Sequence, residues 1–502
     1  MFVTRHFTLG LIVAACAAPR VEPSVSLTKP AVTRLAPSTC EHMSEQFSRT
    51  LQHPVMVDVY ATRGVAESET FLKRIQPILE RDRAASSRLL DFKIQFVAWD
   101  SEHVGWDSVA ARSAQLRPRF IRSAHTDTTY VTGLVFTQGD ARAYARSVAP
   151  TVDEQALEFL VTTRLRRLLA EADPAKARIG RVGILTGHGE STLDVSDLAV
   201  ANATNVREVV ERDSPFYELR TFELHGGSDE VPIALDAVLV TQPNATVSDA
   251  ELRRLDEVVM SGRPLVIIAS AVDVKPGNGE MSAHFDRHNL DKLLRGYGVE
   301  LHEDVVLENE EHRWKPNQGP FKFPFLLSGS MAPTLGAMAP LAYQDDNNDL
   351  RLPFASSLSV NPQAQPRAKL TTVAETSNNA VFLRAETSKG EMLLSPRAVM
   401  QWGTDVVDAR PLGVRIEGSL RSAFDPLRWS VWSRVLVLSS SQYFSNPLAR
   451  AASGNNGAPT PGIGADLAKL SSRYEMDKTL QLFIDMLDWM TLPTEYAQCR
   501  PD

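Results

Sequence analysis

An α/β fold, with a doubly wound parallel sheet as its larger part, follows from two features of the sequence. Short apolar runs at Val182–Leu185, Ala237–Thr241 and Leu265–Ala269 lack polar alternation, as strands buried on both faces do. Helical stretches separate these runs, and strand–helix alternation builds parallel sheets.

The first run breaks into Gly187-His188-Gly189-Glu190. Its glycines permit a sharp turn at the strand's carboxyl end, where open α/β sheets place their ligand crevices. Backbone N–H groups in such a turn can hold an anion or a hydroxyl, and His188 and Glu190 are types that move protons. The same four residues equally suit a plain strand-to-helix turn in which His188 and Glu190 cap the next element. No nucleophile accompanies them: the chain has no G-x-S-x-G elbow, and Ser191 and Thr192 suit helix N-caps. The expectation is a ligand-binding turn, with no catalytic residue and no cofactor.

Of the 502 residues, 43% are hydrophobic and 23% charged, ordinary values for globular domains. A net charge of -8 gives no footprint for nucleic acid. Residues 1–15 read as a signal peptide, with Arg5 and His6 ahead of an apolar stretch too short to span a bilayer. It ends in Val13-Ala14-Ala15-Cys16, which resembles the lipobox of bacterial lipoproteins. That resemblance makes Cys16 the acylated residue and implies anchoring in the periplasm of a Gram-negative cell. Ala17 favours the outer membrane over the inner one. Residues 16–47, rich in Ala, Pro, Ser and Thr, read as a tether. Cys40 and Cys499 have no metal-ligand spacing, and in an exported chain they are candidates for a disulfide.

A first α/β domain is expected over 48–172. Strands are read at Pro54–Tyr60, Phe92–Ala98 and Thr132–Phe136, with a helix over Glu67–Leu90. Thr151–Ala170 places Leu157, Leu160, Val161, Leu165 and Leu168 on one stripe. This order resembles a thioredoxin-like layout, but without Cys-x-x-Cys there is no basis for redox chemistry. The second domain, 178–500, continues with a helix near 201–211 and a strand at Tyr217–Phe222. Ser248 and Glu251 then form a capping box before a helix ending at Met260. Residues 308–370, rich in Pro and Asn, read as an insertion or loop. Strands resume at Ala380–Arg384, Met392–Ser395 and Arg434–Ser439, and an amphipathic helix at Thr479–Met490 closes the fold.

His284-x-x-x-His288 has the spacing of a metal pair on a helix. Without an H-E-x-x-H glutamate, and beside Gly277-Asn278-Gly279, it favours a loop, and no metal site is expected. His302-Glu303-Asp304 and His312 are isolated polar positions.

In order, RIGRVGILTGHGE (178–190), LDAVLVTQPNATVSDAELRRLDEVVMSGRPLVIIAS (235–270), PLGVRIEGSLRSAF (411–424), RVLVLSSSQYFSN (434–446) and FIDMLDWM (483–490) resemble the GldG family. Its members are auxiliary components of bacterial ABC-type transport systems, some linked to gliding motility. The resemblance covers about residues 50–490 and implies a flavodoxin-like second domain. It also implies a non-catalytic role beside ABC-transporter ATPase and permease subunits or other envelope proteins, in gliding motility or pilus assembly. Two departures stand out. Members commonly carry a transmembrane helix after the closing helix, and the expectation is that a lipid anchor at Cys16 replaces it here. Gln442 and Ser445 stand where relatives often have acidic and small residues. The alternatives are an envelope hydrolase or amidotransferase-like enzyme, and a periplasmic sugar- or peptide-binding protein.

Overall fold

The computed structural model describes residues 42–100, 105–113, 116, 119–122, 127–148, 150, 152, 154–173, 179–191, 193–194, 206–276, 281–307, 330–331, 352, 354–376, 380–384, 391–394, 409–440 and 483–493. Helix α1 (Met43–Ser48) has all but its last residue inside the stretch read as a tether. Distant acids hold it there: Ser44 Oγ donates to Asp82 (2.9 Å) and the Met43 N–H donates to Glu158 (3.0 Å). A local reading of an unpatterned segment does not register such partners.

Strand β1 (Val55–Ala61), helix α2 (Ala66–Ala85) and strand β2 (Leu90–Phe96) come next. The hairpin β3 (Thr132–Gln138) and β4 (Ala141–Ala145) and helix α3 (Glu154–Ala172) complete the first sheet layer. The sheet order is β2-β1-β3-β4, with β1 parallel to β2 and antiparallel to β3. The stripes expected from helical spacing are the residues that meet the sheet. Phe71, Ile75, Ile78 and Leu79 of α2, and Leu157, Leu160, Leu165 and Leu168 of α3, share a core with Val57, Val59, Leu134 and Phe136.

The larger sheet begins with β5 (Gly180–Leu185), helix α4 (Val206–Asp213), β6 (Tyr217–Phe222), β7 (Ala237–Thr241), helix α5 (Asp249–Met260) and β8 (Leu265–Ile268). A hairpin, β9 (Val272–Pro276) and β10 (Met281–Phe285), then leads to helix α6 (Leu290–Gly296). Strands β11 (Val299–Leu301), β12 (Leu358–Val360), β13 (Ala368–Glu375), β14 (Pro411–Gly418) and β15 (Ser433–Leu438) follow. The sheet order is β6-β5-β7-β8-β15-β14-β13, with the short strand Ser330–Met331 outermost. From β6 to β15 all pairings are parallel, whereas β14 and β13 are antiparallel additions.

The chain is therefore mixed α/β. The apolar runs that predicted buried strands are buried: every residue of β7, β8 and β15 is covered. Strands β12 and β13 occupy part of the stretch read as insertion or loop. Only two adjacent residues of β13, Val373 and Ala374, are fully covered, so its sequence carries no clean alternation.

The closing helix, α7, covers 483–491. Its expected amphipathic character gives way to burial all round, with Phe483, Met486, Leu487, Trp489 and Met490 each at most 1% exposed. They share a core with Phe159 of α3 and with Val182, Ile184, Tyr217, Leu436 and Leu438 of the larger sheet. The polar side of α7 is Asp485 and Asp488, which face Arg164 and Arg167 of α3 instead of water. The helix packs so close to β5 that only glycine fits at position 180. A Cβ there would overlap Thr491 Cγ2 and lie 2.7 Å from Thr491 Cβ. Gly180→Ala is expected to cost about 1–3 kcal/mol in urea unfolding, and adding Thr491→Ala should recover part of that loss. Equal stability of Gly180→Ala and wild type would show that α7 is not held this close.

Candidate functional site

The parallel strands β5, β7, β8 and β15 all end on one edge, and the loops leaving them carry most of the singled-out polar residues. Gly187 (φ 119°) and Gly189 (φ 70°) lie in the left-handed region, as the sharp turn requires. The turn does hold an anion, and that anion is the chain's own Glu190. Its carboxylate accepts the His188 backbone N–H (2.8 Å) and contacts His188 Nδ1 (3.0 Å). On the far side of the ring, His188 Nε2 lies 3.0 Å from Glu251 Oε2.

Glu251 has several partners at once. The expected capping box of α5 is present, with Ser248 Oγ accepting from the Glu251 N–H and the Ser248 N–H donating to Glu251. The Gly226 N–H donates to its other oxygen at 2.9 Å. Sequence reasoning found this residue as a cap and missed it as a partner of His188, because that contact spans two loops.

The imidazole side chain is 10% exposed and the two carboxylates 2% and 4%. Each ring nitrogen faces a carboxylate oxygen, and only the doubly protonated ring donates from both. Burial alone lowers the pKa of His188, but the hydrogen bonds and charges of Glu190 and Glu251 outweigh it, and the net direction is up. For Glu251, burial pushes up while Ser248, His188 and Gly226 pull down, and the net direction is down. A general base needs a neutral ring with a free lone pair. Both His188 nitrogens face carboxylates, so the arrangement is a clasp between the β5 loop and the start of α5.

The clasp continues as a hydrogen-bonded belt along the edge. The Asn244 N–H donates to the His188 carbonyl (2.8 Å) and its amide to the Gly189 carbonyl (2.6 Å). Gln242 then joins the β7 loop to the β8 loop, accepting from the Ser270 N–H (2.8 Å) and donating to Asp273 (3.1 Å). His288 Nε2 meets the other oxygen of Asp273 at 2.8 Å. The Ala271 N–H donates to Ser356 Oγ (3.1 Å), and the Ser356 N–H donates to Ser439 Oγ (2.9 Å) at the end of β15. Fully buried Asp304 accepts from the Ser357 N–H (2.7 Å) and hydroxyl (2.6 Å).

The geometry bears on two of the sequence readings. His284 and His288 do not share a helix: His284 sits on β10, and His288 follows in a turn with φ 48°. His284 pairs with Asp273 across an antiparallel hairpin, and Gly277-Asn278-Gly279 lies outside the described residues. The enzyme reading needed His188 and Glu190 to converge with the Ser439–Asn446 turn, but Ser439 bonds Ser356; residues 441–446 lie outside the described residues. Cys16, Cys40, Cys499, Thr192, His312, Gln442 and Ser445 also lie outside them. His302 Nε2 contacts Ser359 Oγ at 3.1 Å.

One further cluster has metal-ligand chemistry: His42, Glu154 and Glu158 offer ligand atoms within 4.8 Å of one another. Arg81 Nη2 donates to both glutamates at 2.7 Å, so a guanidinium already fills the position a cation would take. Among the described residues no helix is long and apolar enough to cross a membrane.

A family described as "ABC-type uncharacterized transport system" matches residues 180–463, more than half of the chain. The chain belongs to this family of auxiliary proteins of ABC-type transport systems. Among solved structures it is similar to one titled "mmIFT52 N-terminal domain", at 14% identity and a TM-score of 0.31, covering 59% of this chain and 97% of that one. That likeness is too slight to define the fold. No curated protein matches the chain.

Proposed function

We propose that the protein is a non-catalytic, lipid-anchored periplasmic scaffold in an ABC-transporter-linked envelope machine of the gliding-motility or pilus-assembly type. The observation that carries this reading is the family match over 180–463, which contains the whole polar belt. The belt supports a scaffold role because the His188 imidazole and the Glu190 and Glu251 carboxylates are spent on one another. Its neighbours in the machine would be the ATPase and permease subunits. Attachment would run through acylated Cys16 to the outer membrane, or to the inner one. The four-stranded sheet is read as thioredoxin-like and the larger one as flavodoxin-like.

Fractionation of cells tests the anchor. Wild type is expected with the membranes and Cys16→Ala in the soluble periplasmic extract; an unchanged distribution would rule the anchor out. Deletion of the gene tests the machine. Loss of surface motility or envelope assembly, restored by the wild-type gene and by a folded His188→Gln variant, is the expected result. Intact motility and assembly in the deletion would contradict it, and failure of His188→Gln alone would favour an enzyme.

A further inference from the structure

Beyond Asp304 the belt ends at an open groove of about 530 Å³, walled by β12, by residues of β13 and by the segment leading into β14. Its lining includes the apolar Leu358, Val360 and Pro411 and the basic His302, Arg384 and Arg410, and among the described residues it includes no carboxylate.

The two guanidiniums differ. Arg410 is fixed from behind: its Nη1 donates to Ser357 Oγ at 3.2 Å and lies 3.5 Å from Asp304 Oδ2. Its guanidinium also stacks 4.1 Å above the Phe382 ring. A guanidinium held on two sides presents its remaining N–H groups in a set direction, so little entropy is lost when a ligand binds. Arg384 is exposed and, among the described residues, has no ion-pair partner. Asp304 balances Arg410, which among the described residues leaves one positive charge unmatched at the groove.

We propose that this groove binds a small monoanion, a carboxylate carried on an apolar body. Arg384 and Arg410 hold the carboxylate, and Leu358, Val360 and Pro411 cover the body. One unmatched charge suits a carboxylate, because a phosphate dianion would bring a second negative charge close to buried Asp304. The assignment does not depend on the anchor or on the transporter partners.

Calorimetric titration of the purified full chain tests it with three probes: 4-phenylbutyrate, its uncharged amide 4-phenylbutyramide, and inorganic phosphate. The carboxylate is expected to bind at least about tenfold more tightly than the amide and more tightly than phosphate. Arg384→Gln should weaken the carboxylate about tenfold while leaving the unfolding midpoint unchanged, since an exposed side chain without an ion pair adds little to stability. Arg410→Lys, which keeps the charge beside Asp304 but loses the planar fork, should also weaken it. Equal binding of carboxylate and amide, phosphate binding more tightly, Arg384→Gln binding as wild type, or no heat at millimolar carboxylate would each overturn the proposal.

Discussion

Replacing Asp488 by alanine is expected to destabilise the folded chain by about 3–5 kcal/mol, more than the loss of any one contact in the polar belt. Asp488 is fully buried, and Arg164 facing it is only 2% exposed. The carboxylate takes Arg167 Nε at 3.2 Å and Arg164 Nη1 at 3.4 Å, and it also accepts the Tyr217 hydroxyl from β6. One side chain thus ties α7, α3 and the larger sheet together. Burial and the adjacent Arg167 already pull the pKa of Arg164 below its usual value, against the opposing pull of Asp485 and Asp488. Removing Asp488 leaves two guanidiniums in a buried site where, among the described residues, Asp485 is the carboxylate that remains, 3.5 Å from Arg164 and 3.6 Å from Arg167. The cost comes mainly from those unpaired charges, so adding Arg164→Met should recover part of the loss. Urea unfolding of the single and double variants checks this. A loss under about 1 kcal/mol in Asp488→Ala would mean that the guanidiniums reach water and that α7 does not seal this face of α3.

The second large effect concerns His188. Its replacement by alanine is expected to cost about 2–3 kcal/mol below pH 6, because two buried carboxylates lose their shared cation. The pH dependence has a definite sign. The folded-state pKa of His188 is raised above the value of about 6.5 that a free imidazole shows. Its stabilising contribution is therefore complete below that free value and fades as pH climbs through the folded-state value. The stability difference between wild type and His188→Ala should shrink steadily as pH rises above the free imidazole value of about 6.5. A difference that stays flat or widens with pH would show that the ring is neutral in the fold. It would then be free to act as a base, and the enzyme reading would regain ground.

Much of this architecture is legible in the sequence, and the reason is locality. Buried parallel strands are apolar runs, so Ala237–Thr241 is read to the residue. The capping box at Ser248 and Glu251 is legible because all its parts lie within four residues. The turn at Gly187–Glu190 is legible as a turn, and the role of its histidine is not, since Glu251 lies 63 residues away. Arg164 and Asp488 are 324 residues apart, and each alone looks like an ordinary surface charge on a helix. Strand β13 is half-exposed and mixes polar with apolar positions, so composition sends its start to the loop class. Arg384 had no signal beyond its charge. Only the groove around it gives it meaning.

A chain that works by holding partners should bring them along when it is captured, tagged, from gently solubilised membranes. Mass spectrometry of the captured material is expected to find an ABC ATPase and a multispanning permease, and both should be lost with Cys16→Ala. Recovery of the chain alone at full yield would contradict the scaffold role.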